Sequence, residues 1–292
     1  MASLLLPSYA KINLSLIVKG KRNDGYHEIE TLMQQIDLKD EITFIESDRP
    51  GIQFDCHSKD IPEGEENLCL QAAHIFSDAA ETQSSVRITL HKVIPVGAGL
   101  GGGSSNAAVT LLGLNRFWNV NFPAEKLIEL AAQLGSDVPF FIQGGMAIAR
   151  GRGELLEHCD FGFNRPILLV YPQIHISTKW AYKQLNLGLT KTKKNSTFAS
   201  FNNIDFNNID FYTRFENQFE TPIFQRFPIL KNIKQEMVKN GAGYVSMSGS
   251  GSTIFGIFRE LEEAVEAQKK IQSPYPVFIA KPIRSGFDQM LL

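Results

Sequence analysis

Along the first third of the chain, runs of alternating apolar and polar residues give way to helical spacing. Ala10-Lys11-Ile12-Asn13-Leu14-Ser15-Leu16 alternates and runs into Ile17 and Val18. That predicts a half-buried strand with Lys11, Asn13 and Ser15 sharing one face, which on the pattern alone is a solvated face. Residues 20–27 follow as a charged, turn-rich loop ending in Tyr26 and His27. Residues 41–45 predict a second strand, and Arg49-Pro50-Gly51 a turn. Leu68, Leu70, Ala72, Ala73, Ile75 and Phe76 have helical spacing, with Asn67 placed as their N-cap. Residues 86–90 alternate once more.

Pro123 opens a helix through Leu127, Ile128, Leu130, Ala131 and Leu134, and Gly135 reads as its terminating glycine. Asp137 lies in the short loop beyond, where a lone aspartate serves as a turn former or N-cap. Residues 144–149 form a strand and Gly151-Arg152-Gly153 a turn, so the domain division falls close by, giving residues 1–157 and 158–292. The second half predicts a buried strand at 166–172 and a helix after Thr178 carrying Trp180 and Tyr182, aromatics of the kind that usually fill a core. A helix spans 228–240, a glycine and serine loop (Ser248, Gly249, Ser250, Gly251) joins a strand at 253–258, and a helix at 261–271 and a strand at 277–280 close the chain. The tandem F-N-N-I-D copies at 201–205 and 206–210 read as a local insertion, since two five-residue copies cannot stack into a core. Strands and helices mixed in both halves make an α+β, two-domain protein with a cleft between the halves.

The chain is organised around P-V-G-A-G-L-G-G-G-S-S: Pro95, Val96, Gly97, Ala98, Gly99, Leu100, Gly101, Gly102, Gly103, Ser104 and Ser105. These residues lie between the alternating run at 86–90 and an apolar stretch of helical character that opens near Ser104. Without Cβ atoms, such a loop can turn its N–H groups onto a ligand, and a helix N-terminus adds unpaired donors and a positive dipole end. A polyphosphate suits both features. No lysine follows the glycines as a Walker A loop requires, and residues 117–122 lack the acid that a dinucleotide-binding fingerprint places about 20 residues on. A flexible linker is the bland alternative, but linkers are rarely wedged between a strand and a helix.

A net charge of −2 over 292 residues leaves no electrostatic footprint for nucleic acid or an anionic membrane, so any phosphate recognition is local. Three cysteines, none in a C-x-x-C pair, predict reduced thiols. With no signal-like segment and no apolar run of spanning length, the expected location is the cytoplasm.

A lysine and asparagine on an N-terminal strand, a phosphate cradle and an S-G-S-G loop together resemble the GHMP family of small-molecule kinases. A-K-I-N-L, the loop carrying Gly20, Arg22, Asp24, Gly25, Tyr26 and His27, P-x-G-A-G-L-G-G-G-S-S-N-A-A and G-S-D-V-P-F-F carry the resemblance over nearly the whole chain. The D-G-Y-H loop paired with S-D-V-P is the specific part. The resemblance implies a ribosomal-protein-like N-terminal half and a ferredoxin-like C-terminal half, with the active site in the cleft between them. It implies ATP with Mg²⁺, and as acceptor the 2-hydroxyl of a cytidine diphosphate methylerythritol, in non-mevalonate isoprenoid synthesis. Asp137 then matches the family's catalytic base and Lys11 its catalytic lysine. Residues 95–105 hold ATP, with Asn67 and Lys92 near the adenine. Asn13, Tyr26, His27 and Tyr182 hold the acceptor, and residues 248–251 close the cleft. No metal ligand is assigned, and a monomer or weak homodimer is expected.

Other GHMP kinases, such as those acting on mevalonate or homoserine, would have to explain the D-G-Y-H loop without a cytidine. A silent nucleotide-binding regulator on the same scaffold would have no use for Lys11 and Asp137. A nucleic-acid-binding reading, open because the N-terminal half resembles ribosomal-protein domains, lacks a basic patch.

Overall fold

The computed structural model describes residues 2–284 except 57, 59–60, 62–63, 65, 83, 160–161, 186–207 and 272–273. The first F-N-N-I-D copy and part of the second lie outside the described residues.

Two long strands, β1 (Ser3–Lys21) and β2 (His27–Glu46), pair antiparallel and carry the N-terminal half. β2 incorporates the expected strand at 41–45 and is long enough to hold two further partners on its other edge. Its last part pairs with β4 (Val86–His91) and its first part with β5 (Met146–Gly151). β3 (Ile52–Cys56) lies parallel to β4, joined to it through helix α1 (Leu68–Ala79), because a parallel pair needs a crossover and a helix supplies one. β6 (Leu155–Cys159) extends the sheet beyond β5 and crosses the expected 157/158 division, so the chain leaves this sheet after Cys159.

Three more helices cover one face of the sheet with α1: α2 (Gly102–Phe117), α3 (Ala124–Leu134) and α4 (Val138–Gln143). Phe44, Phe76, Leu111, Leu130 and Phe140 belong to the core between them. α2 begins at Gly102, two residues before the expected start, because Gly101 takes the left-handed conformation at its N-cap (φ 69°). Gly135 ends α3 in extended backbone (φ 162°), not in a left-handed turn.

The C-terminal half is a four-stranded antiparallel sheet of β7 (Ile167–Val170), β8 (Tyr244–Met247), β9 (Ile254–Ile257) and β10 (Val277–Ala280), in the order β10-β7-β9-β8. With α5 (Thr178–Gln184), α6 (Glu220–Arg226) and α7 (Pro228–Lys239) between its first two strands and α8 (Leu261–Lys270) between its last two, this is the ferredoxin-like arrangement.

β1 is packed on both sides. Ala10, Ile12 and Leu14 share a core with Ile167, Leu169, Phe255 and Ile257 of the second sheet. Ser15, 0% exposed, lies past a second register shift and donates to Glu216 O of the other half; Lys11 and Asn13, on the opposite face, are 4% and 3% exposed because that face is covered as well, which corrects the expectation of a solvated face. A register shift between Tyr9 and Ala10 brings this about. Before it, Leu6 and Ser8 face the helices; after it, Lys11 and Asn13 do, and Ala10 and Ile12 turn to the other half. A β-bulge re-aims side chains in this way.

Candidate active site

Lys11 lies where the two halves meet. Its ammonium donates to Asn13 Oδ1 (2.6 Å) and Gly99 O (3.3 Å) and lies 3.5 Å from Asp137 Oδ2. Three acceptors therefore surround a group with three N–H bonds. Asp137 occupies the N-cap position of α4 but makes no side-chain cap bond, and its carboxylate is 39% exposed, so one side meets Lys11 while the other stays open.

The glycine loop packs against the second half. Gly99 has φ +79°, and a Cβ there would sit 2.2 Å from Ser248 O and 2.9 Å from Gly251 O. Only glycine allows the two loops to approach this closely. Ser248 Oγ donates to Gly99 O (2.8 Å) and accepts from Asn13 N (3.3 Å), and Thr253 N donates to Ala98 O (3.2 Å). Gly101 has φ +69°, and a Cβ there would meet Phe141 and the Lys11 stem.

Two cavities lie on either side of this junction and share Gly99 and Gly101. The smaller, about 280 Å³, is lined by Pro95, Val96, Gly97, Ala98, Leu100, Gly102, Gly103 and Ser104, with Ile61, Leu68 and Lys92. The first N–H groups of α2 open there with no side chain capping them. Two residues assigned to ATP are not among its walls. Ser105 is buried and accepts from Ser8 Oγ (2.9 Å), and Asn67 caps α1 by accepting from Cys69 N (2.8 Å). Lys92 is held by Asp40 Oδ2 (2.5 Å), a fully buried carboxylate that also accepts from Val93 N, Ile94 N and Asn106 Nδ2. Asp40 thus pins the chain entering the glycine loop. The sequence offered no sign of this, because its partners come from residues 92–94 and from α2.

The larger cavity, about 750 Å³, contains Lys11, Asn13, Tyr26, His27, Asp137, Tyr182, Gly249 and Ser250 in its walls. His27 and Tyr182 stack, with ring centroids 4.5 Å apart and planes at 11°, and Phe219 supports Tyr182 edge-on at 4.9 Å. Tyr182 therefore packs against the core beside Phe219, as its helix suggested, and also lines the cavity. Burial, with a smaller contribution from Asp137, pushes its hydroxyl up to about 12, so it stays a neutral phenol. Burial and then Lys21 hold the His27 imidazole below its usual value, which favours the neutral ring. Tyr26 is 57% exposed, with the Arg152 guanidinium 4.9 Å over its ring. Lys21, Arg152, Lys179 and Lys183 also line the cavity, and Asp137 is the one acid among its described walls.

Residues that the pattern did not single out hold these parts together. Asn217 Nδ2 donates to Met247 O (2.7 Å) and Gly249 O (2.8 Å), and Glu220 Oε1 accepts from Ser246 Oγ and Met247 N, which sets the S-G-S-G loop. The same segment joins β1 through Leu16 N to Glu216 O and Gln218 N to Leu16 O. Among the described residues, no group of three or more His, Cys, Asp or Glu side chains could hold a metal ion. No helix among them is long and apolar enough to cross a membrane.

The model of the GHMP kinases N-terminal domain matches residues 67–145, and that of the GHMP kinases C-terminal region matches residues 194–277. A relative from Chlorobium chlorochromatii, 4-diphosphocytidyl-2-C-methyl-D-erythritol kinase, is 41% identical over 282 residues, covering 96% of this chain and 97% of its own. The chain belongs to the GHMP kinases. A crystal structure of 4-(cytidine 5'-diphospho)-2C-methyl-D-erythritol kinase covers 96% of this GHMP kinase and 99% of its own chain, with 32% identity and a TM-score of 0.78. Homoserine kinase from Cytophaga hutchinsonii superposes almost as well, with a TM-score of 0.76 at 18% identity over 98% of this chain and 96% of its own. The fold is thus common to GHMP kinases with different acceptors, and the acceptor has to be read from the cavity walls.

Proposed function

We propose that this GHMP kinase transfers the γ-phosphoryl group of ATP to the 2-hydroxyl of 4-diphosphocytidyl-2-C-methyl-D-erythritol, giving the 2-phosphate and ADP, in the non-mevalonate isoprenoid pathway. The observation that carries this reading is the pair of cavities meeting at Gly99 and Gly101, with Lys11 and Asp137 on the acceptor side. The name of the full-length relatives agrees with it.

The acceptor cavity suits a nucleoside diphosphate. His27, Tyr182 and Tyr26 offer flat faces for a pyrimidine, and four cations (Lys21, Arg152, Lys179, Lys183) offset a diphosphate. Mevalonate and homoserine offer these walls one carboxylate but neither a nucleobase nor a diphosphate, so the aromatic faces and most of the cations would go unused.

Phosphoryl transfer asks for alignment and charge stabilisation more than for covalent help from the protein. The N-terminus of α2 and the loop N–H groups are placed for phosphate oxygens, and residues 95–104 with Lys92 form that side of the site. Asn67 and Ser105 act at one remove, by fixing the starts of α1 and α2. Mg²⁺ bound together with ATP would offset the phosphate charge, and the Ser104 hydroxyl and the Asp137 carboxylate are the side-chain oxygens that would hold it. Asp137 receives the hydroxyl proton, and Lys11 stabilises charge developing between acceptor and phosphate. The acceptor is a tertiary alcohol, so in-line alignment outweighs early deprotonation. Ser248, Gly249, Ser250 and Gly251 hold the glycine loop from the other half.

The test is an ADP-release assay with cytidylated methylerythritol, mevalonate and homoserine offered separately. Turnover confined to the first is expected. Turnover of either of the others at a comparable kcat/KM would overturn the acceptor assignment.

A further inference from the structure

Asn13 makes bonds in two directions. Its Oδ1 accepts from the Lys11 ammonium at 2.6 Å, and its Nδ2 donates to Thr31 Oγ1 at 2.8 Å. Thr31 in turn donates its hydroxyl proton to Ser15 O at 2.6 Å. Thr31 is on β2, 2% exposed, and lines the acceptor cavity. Ser15 follows the second irregularity of β1, between Asn13 and Ser15. Carbonyls at that irregularity are taken by side chains: Tyr244 Oη donates to Leu14 O (2.7 Å), and Thr31 to Ser15 O.

The chain of bonds has only one polarity. An ammonium donates and never accepts, so the Asn13 atom facing Lys11 has to be oxygen. The amide nitrogen then points at Thr31, which can accept because its own proton is committed to Ser15. An asparagine amide is nearly symmetric in shape, and hydrogen bonds alone hold it one way round. Turned over, Asn13 would present N–H groups to a cation. We infer that Thr31 is a positioning residue of the phosphoryl transfer: by fixing the Asn13 amide it aims the Lys11 ammonium between Gly99 and Asp137. This rests on the proposed function for its kinetic consequence, but not for its geometric one.

Thr31→Val keeps the shape and removes the hydroxyl; Thr31→Ser keeps the hydroxyl and removes a methyl. Both are purified and compared with wild type for folding by circular dichroism, for steady-state kinetics with cytidylated methylerythritol and ATP, and for the ¹⁵N side-chain amide signal of Asn13. Expected for Thr31→Val is a fall in kcat of ~10-fold to 100-fold, the size that a small misplacement of a reacting group produces, with both KM values within about 2-fold of wild type. Thr31→Ser recovers most of kcat. The Asn13 amide protons exchange slowly in wild type and Thr31→Ser and quickly in Thr31→Val.

An unchanged kcat in Thr31→Val overturns the inference, as does an equal loss in both variants. A rise confined to the acceptor KM also overturns it, since Thr31 would then be a substrate contact. If wild type turns over none of the cytidylated acceptor, the proposed function has failed, and amide exchange decides this inference by itself. Equal exchange in all three proteins would then reject it.

Discussion

Asp137 stands at the N-cap position of α4 without capping it, and its carboxylate lies 3.5 Å from the ammonium of Lys11. A residue spared the usual work of its position, and facing a buried lysine of its own half beside the domain junction, is placed for chemistry.

Asp137→Asn is expected to lower kcat by ~10²-fold to 10⁴-fold, the usual worth of a positioned base. ATP affinity, measured by equilibrium titration, should hold. Melting temperature should also change little, because a partly exposed ion pair contributes only about 0–1 kcal/mol. Near-wild-type turnover in this variant would remove Asp137 from the role of base.

Tyr182→Leu is expected to raise the acceptor KM by about 2-fold to 10-fold, matching ~0.5–1.5 kcal/mol for an aromatic contact, with the KM for ATP unchanged. Tyr182→Phe should behave as wild type, since a neutral ring that stacks on His27 acts through its face. Equal impairment in both variants would instead assign the role to the hydroxyl.

Gly99→Ala tests the junction of the loops. Its Cβ would fall on Ser248 O in a backbone conformation that alanine rarely adopts, so loss of ~1–3 kcal/mol and of ATP binding are expected together. Urea unfolding and nucleotide titration measure the two effects. A stable variant that binds ATP would show that the loops can separate at little cost.

Beneath the glycine loop, Asp40→Asn and Lys92→Met should differ. Asp40→Asn turns an amide toward a buried ammonium and is expected to cost ~3–5 kcal/mol. Lys92→Met leaves the carboxylate with three donors, Val93 N, Ile94 N and Asn106 Nδ2, and should cost less. Denaturant midpoints decide the order, and the reverse order would mean that Lys92 anchors the loop more than Asp40 does.

His158 makes stability depend on pH. Burial holds its imidazole below the ordinary 6.5, although the Nδ1 contact to Gly144 O opposes this. The unfolded chain therefore binds the proton more readily than the folded one, and stability is lost as pH falls through 6.5 toward the folded value. The melting temperature should drop between about pH 7 and pH 5, and His158→Gln should flatten that slope. An unchanged slope would assign the acid sensitivity elsewhere, with His27, also held low by burial, as the next residue to change.

Much of this protein is written locally. The alternation at 10–13 places Lys11 and Asn13 on one face, though a bulge takes Ser15 off it, glycine spacing marks the phosphate cradle, and helical periodicity finds α1, α3, α7 and α8, because each of these depends on neighbours a few residues apart. Whether the Lys11 face met water or protein depended on a second sheet and a helix layer contributed by distant parts of the chain, and on a one-residue bulge after Tyr9 that no pattern announces. Tyr182 illustrates the same limit: its helix is local, but its place beside His27 comes from the packing of the two halves. Asp40, Thr31 and Asn217 are ordinary polar residues by pattern. Only the tertiary structure gives them partners, because a hydrogen bond is decided by distance in space and the sequence records distance along the chain.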